Sequence, residues 1–263
     1  MKRYLLAVAR FWSASIAAEA EYRANFVLAS LTGLMTLGGG VLSLHLFYGA
    51  GHELGGWPWY LALAVMGVYT FLSGVQQTLL QPNRSRVTEY VREGKLDFIL
   101  LKPVDSQFWL STHRISIWGL PDVVIGLLLA GYAIGQMPEK PSVLAMLGAG
   151  AAVALALCIL YGMGFVLSAI TVWVVKLDNA TVALNALLEA GRFPITAYAP
   201  AYRVFFTFVL PVAFMTTVPV QGVAGHAAAW HWLAGSALIA AVWLSFSRWL
   251  WLRALRAYSS ASS

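Results

Sequence analysis

The cations of this chain are confined to four short segments, which alternate with apolar stretches long enough to cross a bilayer. Of the 17 lysine and arginine residues, only Lys140 lies outside these segments. Loops rich in lysine and arginine are retained on the cytoplasmic side of a membrane. The bias therefore predicts six transmembrane helices with both termini in the cytoplasm. The four groups are Lys2, Arg3, Arg10 and Arg23; Arg84, Arg86, Arg92, Lys95, Lys102 and Arg114; Lys176, Arg192 and Arg203; and Arg248, Arg253 and Arg256.

The composition agrees with a membrane protein. Hydrophobic residues make up 60% of the chain and charged residues 11%, against about 25% charged residues in an average soluble domain. In such a chain the net charge of +6 reflects topology and contact with anionic membrane lipid, and no nucleic-acid partner is expected. The single cysteine, Cys158, excludes a disulfide within the chain.

The apolar stretches predict an all-α membrane protein in which residues 1–263 form one transmembrane domain. The fourth stretch would be about 50 Å long as a helix, against a hydrocarbon core of about 30 Å. We expect it to project into the cytoplasm, to tilt, or to break near Gly162 and Gly164. Pro211 and Pro219 predict a short fifth span followed by a re-entrant or interfacial segment. The predicted spans are residues 26–48, 57–80, 115–134, 143–175, 204–220 and 232–252.

The N-terminal residues 1–23 have the pattern of an amphipathic helix that lies on the inner membrane surface. Apolar side chains share one helical face, while Arg3 and Arg10 lie elsewhere. The alternative is a solvated cytoplasmic tail, which the tryptophan and phenylalanine content argues against. The residues of the apolar face are Leu5, Val8, Trp12 and Ile16.

The sequence contains no motif for covalent chemistry, so no catalytic residue, metal site or cofactor is expected in this chain. Gly94-Lys95 continues with Leu96 and lacks the hydroxyl residue of a phosphate-binding loop. The candidate intramembrane polar site is Asp122, which follows Pro121 in the third span. It is either buried in the span or the N-cap of a helix that begins there, and we favour the cap.

The most charge-rich stretch is residues 81–114. Pro82 and Asn83 are predicted to end the second span, and a short helix is expected from about Ser85 to Glu93. Gly94 is suited to end that helix in the left-handed conformation. Such a mixed-charge helix, held between two spans, is shaped to insert into a cleft of another protein. The alternative is an ordinary solvated loop.

Two segments resemble the ABC-2 family of permeases, the membrane subunits of one class of ATP-binding cassette exporter. The string VREGKLDFILLKPVDSQF is similar to that family's first cytoplasmic loop. The string RFPITAYAPAYRVFFTFVLPVAFMTTVPVQ is similar to its fifth span and the proline-rich segment that follows. Unlike fused members of the family, this chain carries no cassette domain.

The resemblance implies a non-catalytic permease of the bacterial cytoplasmic membrane that exports an unidentified substrate. Its expected partners are a nucleotide-binding subunit, which holds ATP and magnesium, and a second permease subunit, identical or paralogous. The alternatives are a membrane scaffold or assembly factor without transport, and a secondary carrier, which the scarcity of intramembrane charge disfavours. The residues expected to couple to the ATPase are Arg86, Glu89, Tyr90, Arg92, Glu93, Lys95 and Asp97.

Overall fold

The computed structural model describes residues 11–17, 19, 21, 23–174, 180–225 and 229–258. These residues contain helices and turns but no β-strand, so the prediction of an all-α protein is confirmed. Leu5 and Val8 of the predicted N-terminal helix, and Lys176, lie outside the described residues. The α-helices are α1 (residues 11–17), α2 (Arg23–Gly49), α3 (Trp59–Val75), α4 (Gln81–Arg92), α5 (Asp97–Leu100), α6 (Ser106–Thr112), α7 (Leu120–Gly135), α8 (Val143–Ile170), α9 (Ala180–Glu189), α10 (Pro200–Val204), α11 (Val212–Val223) and α12 (Ala229–Ala257).

Among the described residues, four helices are long and apolar enough to cross a membrane, or five if a bent pair counts as one span. α7 is also apolar, but its 16 residues extend only about 24 Å. α8 runs without a break through Gly162 and Gly164. The missing side chains leave room for close neighbours: Gly162 faces the backbone of Trp243, and Gly164 faces Arg84. Of the three alternatives for this stretch, the break is therefore excluded, and projection into the cytoplasm or tilt remains a prediction.

The helix of the predicted second span does not end at Pro82. α3, a π-helical turn over Gln76–Leu80 and α4 form one continuous helix, Trp59–Arg92. A proline inside a helix lacks the amide that would bond to the carbonyl four residues earlier. Here that carbonyl belongs to Thr78, and the backbone amide of Ser116 donates to it over 2.9 Å. The predicted separate coupling helix is thus the end of the second-span helix.

Asn83, the other residue predicted to end the span, holds this junction together. It is buried, with 3% of its surface exposed. Its amide nitrogen donates to the carbonyls of Leu79 and Arg114 at 2.7 and 2.8 Å, and its side-chain oxygen accepts from the Arg114 amide at 3.0 Å. Asn83 therefore fixes the loop that leads into α7.

We expect Asn83→Ala to destabilise the protein by about 2–3 kcal/mol, because buried backbone groups lose their partners. In a thermal unfolding assay of detergent-purified protein, the melting temperature should fall by roughly 5–10 °C. Ser85→Ala, an exposed change on the same helix, is the control and should leave the melting temperature unchanged. Equal melting temperatures for the two variants would contradict this role of Asn83.

Three clusters of buried side chains follow one another along the bundle. The last of them lies beside residues 84–114 and the C-terminal turn of α12, and we call this the basic end of the molecule. We call the other end the opposite end. Members of the clusters are Trp57, Leu63 and Met137 at the opposite end; Leu72, Leu160 and Met215 in the middle; and Leu96, Phe165 and Trp251 at the basic end.

α3 and α7 make the closest helix pair, and glycines allow the approach. A Cβ atom at Gly126 would lie 2.7 Å from the Cα of Phe71, and one at Gly74 would lie 2.5 Å from the amide of Val123. Small residues let the backbones of two membrane helices come into direct contact. We call this contact the glycine seam; it also contains Gly67 and Gly119.

Residues 180–223 follow a path that the sequence did not predict. α9 begins near Gly164, Glu189 reaches Tyr69 of α3, and Thr196 lies against Gly55 at the opposite end. The chain then turns back through α10 and a second π-helical turn and enters α11 with a bend of 95°. Pro211 occupies the break, as predicted for the fifth span, whereas Pro219 lies inside α11 without interrupting it.

Arg192 and Arg203, the described members of the third cationic group, are consequently not at the basic end. The Arg192 guanidinium donates to the carbonyl of Thr36, midway along α2, and Arg203 donates to the carbonyl of Thr196. The assignment of Arg192 and Arg203 to a cytoplasmic loop was wrong. Predicting topology from the number of cations in each loop assumes that every cation faces water. Here protein carbonyl and carboxylate groups accept the hydrogen bonds of Arg192 and Arg203.

Candidate functional site

The candidate coupling segment, residues 84–102, begins on the last turns of α4. Gly94 has a φ of +66°, the left-handed conformation predicted for it. The amide of Gly94 donates to the carbonyl of Val91, and the amide of Lys95 to that of Tyr90. These two hydrogen bonds together form a Schellman motif, which ends a helix and reverses the chain. The reversal directs α5 back against the protein.

Two acidic residues of the segment, Glu89 and Glu93, form ion pairs with cations within it. Arg86 forms an ion pair with Glu89 at 2.5 Å, and Lys95 forms one with Glu93 at 2.6 Å. The hydrogen bond from Lys95 lowers the pKa of Glu93 and raises the pKa of Lys95 in return. Arg92, in the last turn of α4, is exposed. The segment thus presents ordered charges of both signs on its surface.

The apolar run after Gly94 has two faces. Leu96 and Ile99 are buried in the basic-end cluster, with 0% and 3% of their surfaces exposed. Phe98 and Leu101 point outward and are 69% and 82% exposed. Asp97, between the two faces, is partly buried in the first turn of α5. One face therefore anchors α5, and the other offers apolar surface beside the charged turn.

Tyr90 has a structural role that the sequence did not indicate. Its ring packs against the rings of Trp109 and His113, whose own planes stack with centroids 4.2 Å apart. The ammonium of Lys102 lies over the Trp109 ring at 4.1 Å from its centroid, a cation–π contact. Tyr90 thus fixes the candidate coupling segment to α6, and its role in contacting a partner stays a prediction.

Burial of the His113 ring lowers its pKa to about 4, whereas an unfolded histidine titrates near about 6.5. The folded protein therefore favours neutral His113, and the unfolded chain binds the extra proton between these values. We expect stability from this residue to be complete above about pH 6.5 and to decline by about 1.4 kcal/mol per pH unit below it.

The measurement is the melting temperature of wild type and His113→Gln from about pH 7.5 to about pH 4.5. This range lies mostly between the unfolded and folded pKa values of His113. The glutamine variant cannot take up the proton, so its melting temperature should fall less steeply with acidification. Parallel curves for the two proteins would show that His113 does not contribute to the pH dependence.

The N-terminal segment is bound to the basic end. The indole nitrogen of Trp12 donates to the carbonyl of Thr112 at 3.0 Å. The Glu19 carboxylate accepts from the Ser116 hydroxyl at 3.0 Å and from the Ile117 amide at 2.7 Å. The segment is therefore tied to the loop before α7, and its placement on a membrane surface stays a prediction.

A polar cleft of about 380 Å³ opens between α2, α3 and α7. Asp122 lies in it and accepts a hydrogen bond from the Gln77 amide at 3.1 Å. The N-cap of α7 is Gly119, so the preferred interpretation of Asp122 as N-cap is wrong. Its carboxylate instead occupies the space that a side chain at Gly33 would fill. Other polar residues of the cleft are Thr32, Thr36, Tyr69, Thr70, Ser73 and Arg192.

A second charged group borders the same cleft. Arg192 forms an ion pair with Glu189 at 3.0 Å, and the Tyr69 hydroxyl donates to Glu189 at 3.1 Å. The guanidinium fits against Gly40, where a Cβ atom would come within 3.0 Å of the Arg192 Cζ. The Glu189 side chain is 59% exposed. A carboxylate exposed midway along apolar helices requires water or a protein partner, because exposure to lipid is costly.

Arg84 is a buried cation of the basic end, whereas the sequence pattern indicated only that it belongs to the most charge-rich stretch. It is 8% exposed, and its side chain lies against Gly164 of α8. Its two terminal nitrogens have no hydrogen-bond partner among the described residues. A buried, unpaired charge is costly, and Arg84 lies where the candidate coupling segment joins the bundle.

Within the described residues no three histidine, cysteine or acidic side chains form a group that could hold a metal ion. What remains is a set of apolar spans around a polar cleft, with a structured charged segment at one end. This arrangement is that of a multi-pass membrane protein.

The chain belongs to the ABC-2 family of transporters: the model described as "ABC-2 family transporter protein" matches residues 34–262. The resemblance found in the sequence is thereby confirmed. No curated protein and no solved structure matches the chain. Membership identifies a permease-type component of a membrane transporter, a kind of subunit that works with an ATP-binding partner.

Proposed function

We propose that this chain is the permease subunit of an ATP-driven exporter of a bacterial cytoplasmic membrane. Two permease subunits, identical or paralogous, enclose the pathway, and two separate ATPase subunits dock at the basic end, which faces the cytoplasm. The chain crosses the membrane six times with both termini at that end. The observation that carries the proposal is a family match over most of the chain combined with a structured coupling segment.

The polar cleft is the proposed lining of the pathway. Its carboxylate, guanidinium and hydroxyl groups lie on a face that must be covered by water or a second subunit. Pairing two permeases across this face places the Glu189 and Asp122 carboxylates of both subunits around a shared, hydrated passage. Such a lining suits a substrate that carries hydrogen-bonding groups, and it favours transport over a purely scaffolding role.

ATP binding in the partner closes the two ATPase subunits and displaces the coupling segment. Since the segment continues directly into α3, the motion reaches Tyr69 and Gln77 in the cleft. The costly burial of the unpaired Arg84 guanidinium fits a contact that changes during this cycle. The chain supplies the passage, and ATP hydrolysis with its magnesium ion takes place in the partner.

The test is co-purification with the cassette ATPase, followed by ATP-driven transport in reconstituted vesicles. Reversing both acids of the coupling segment, Glu89→Lys with Glu93→Lys, should abolish co-purification. An unpaired charge forced into a docking cleft costs about 3–5 kcal/mol. The matched control is Glu53→Lys with Glu139→Lys, which makes the same charge change at exposed positions of the opposite end. Normal co-purification and transport in the Glu89/Glu93 variant would refute the coupling role.

A further inference from the structure

α7 and α8 are consecutive in the chain but pack against different neighbours. α7 lies on α3, whereas α8 lies on α11 and α12. The space between them is a groove of about 310 Å³, with α3 and α11 as its floor. Small residues on both rims, among them Ala130, Gly131, Ala149 and Gly150, give the groove its depth.

The groove and the polar cleft lie on opposite faces of α3. Tyr69, Ser73 and Gln77 line the cleft, whereas Leu61, Val68 and others line the groove. At about 100° per residue, these two sets are roughly half a turn apart. A second permease placed across the cleft therefore leaves the groove uncovered and open to the hydrocarbon of the bilayer.

Lys140 is next to the end of this groove. It is the one cation outside the four basic groups, and its ammonium donates to the carbonyl of Gly135 at the end of α7. Ile134 and Met137, which flank that position, line the groove. An apolar groove with a cation at its end has the chemistry of a phospholipid site. The groove would hold an acyl chain, and the cation would contact the headgroup phosphate.

We propose that the groove between α7 and α8 binds one acyl chain of a membrane phospholipid whose headgroup phosphate contacts Lys140. The site is separate from the proposed transport pathway, and its exposure to lipid rests on the proposed pairing of two permeases across the polar cleft. Glu139, exposed beside Lys140, gives the end of the groove one charge of each sign, which suits a zwitterionic headgroup. Bound lipid fills the space that α7 and α8 leave between them.

The experiment uses the full chain in vesicles that contain phosphatidylethanolamine with a diazirine midway along one acyl chain. After irradiation, mass spectrometry should find the adducts concentrated on groove residues such as Val153. Gly150→Leu fills the groove, and no atom lies within 4 Å of the Cβ position at Gly150, so the variant should fold normally. Loss of burial for about two methylene groups predicts about tenfold less labelling.

Gly39→Leu is the matched control, since Gly39 is equally open but lies on α2, and its labelling should equal that of wild type. Lys140→Glu should reduce labelling about fivefold through loss of the phosphate contact. The proposal is overturned if Gly150→Leu and Lys140→Glu label like wild type. Adducts spread evenly over lipid-facing residues such as Leu128 and Leu144, or a cross-link between two copies of α7, would also overturn it.

Discussion

Gly126→Ala should lower the melting temperature of the purified protein by about 10 °C, as overpacking costs about 3 kcal/mol. The added methyl group would lie 2.7 Å from the Phe71 Cα and 2.8 Å from the Gly67 carbonyl oxygen. Both atoms belong to the backbone of α3, so no side-chain rotation relieves the overlap. The two helices would have to separate along the glycine seam, with loss of the contacts between them.

Gly131→Ala, on the same helix, provides the control. No atom lies within 4 Å of the Cβ position at Gly131, so alanine there should preserve or slightly raise the melting temperature through its better helix propensity. If both alanine variants melt together at the wild-type temperature, α3 and α7 are not in the direct contact described for the seam.

Replacing Phe98 and Leu101 together by aspartate should abolish co-purification with the ATPase and leave the permease folded. Both side chains point outward on α5 or just after it, whereas Leu96 and Ile99 of the same run anchor the segment. Apolar anchors at an interface commonly contribute about 2 kcal/mol or more each, so loss of two should weaken docking more than about 100-fold. Transport by reconstituted protein should fall in parallel.

The conservative pair Phe98→Leu with Leu101→Met keeps the surface apolar and should retain most of the docking. An unchanged elution profile and melting temperature of the aspartate variant would show that the fold is intact. Wild-type recovery of the ATPase with that variant would place the docking surface elsewhere and would count against the proposed arrangement.

The all-helical architecture was predictable because few structures other than a membrane-spanning helix accommodate such long apolar stretches. The end of α4 at Gly94 was predictable for a local reason, since glycine adopts the left-handed conformation with little cost. The charge-rich segment was recognisable in the sequence, and its coupling role stays a prediction. The packing of Tyr90 depends on Trp109 and His113, which belong to a different part of the chain. Local pattern cannot supply such contacts.

The errors on Pro82 and Arg192 share a cause. In both cases the sequence analysis treated a polar group as having no partner in the protein, but the fold brings a hydrogen-bonding partner to it. Pro82 was expected to end a helix, but the amide of Ser116 bonds to the carbonyl that proline leaves free. Arg192 was expected in water, but Glu189 and the Thr36 carbonyl receive it within the protein. Ser116 and Thr36 lie far in the chain from the groups they contact, so composition and spacing could not reveal these two contacts.

The unbroken helix from Trp59 to Arg92 has a mechanical consequence. Its 34 residues make a lever about 50 Å long, and the junction at Pro82 is braced on two sides by the loop before α7. A displacement of the helix end near Arg92 would therefore move the whole helix, because no flexible junction interrupts it. Since α7 is clamped to the same helix through the glycine seam, the two helices should travel as one arm.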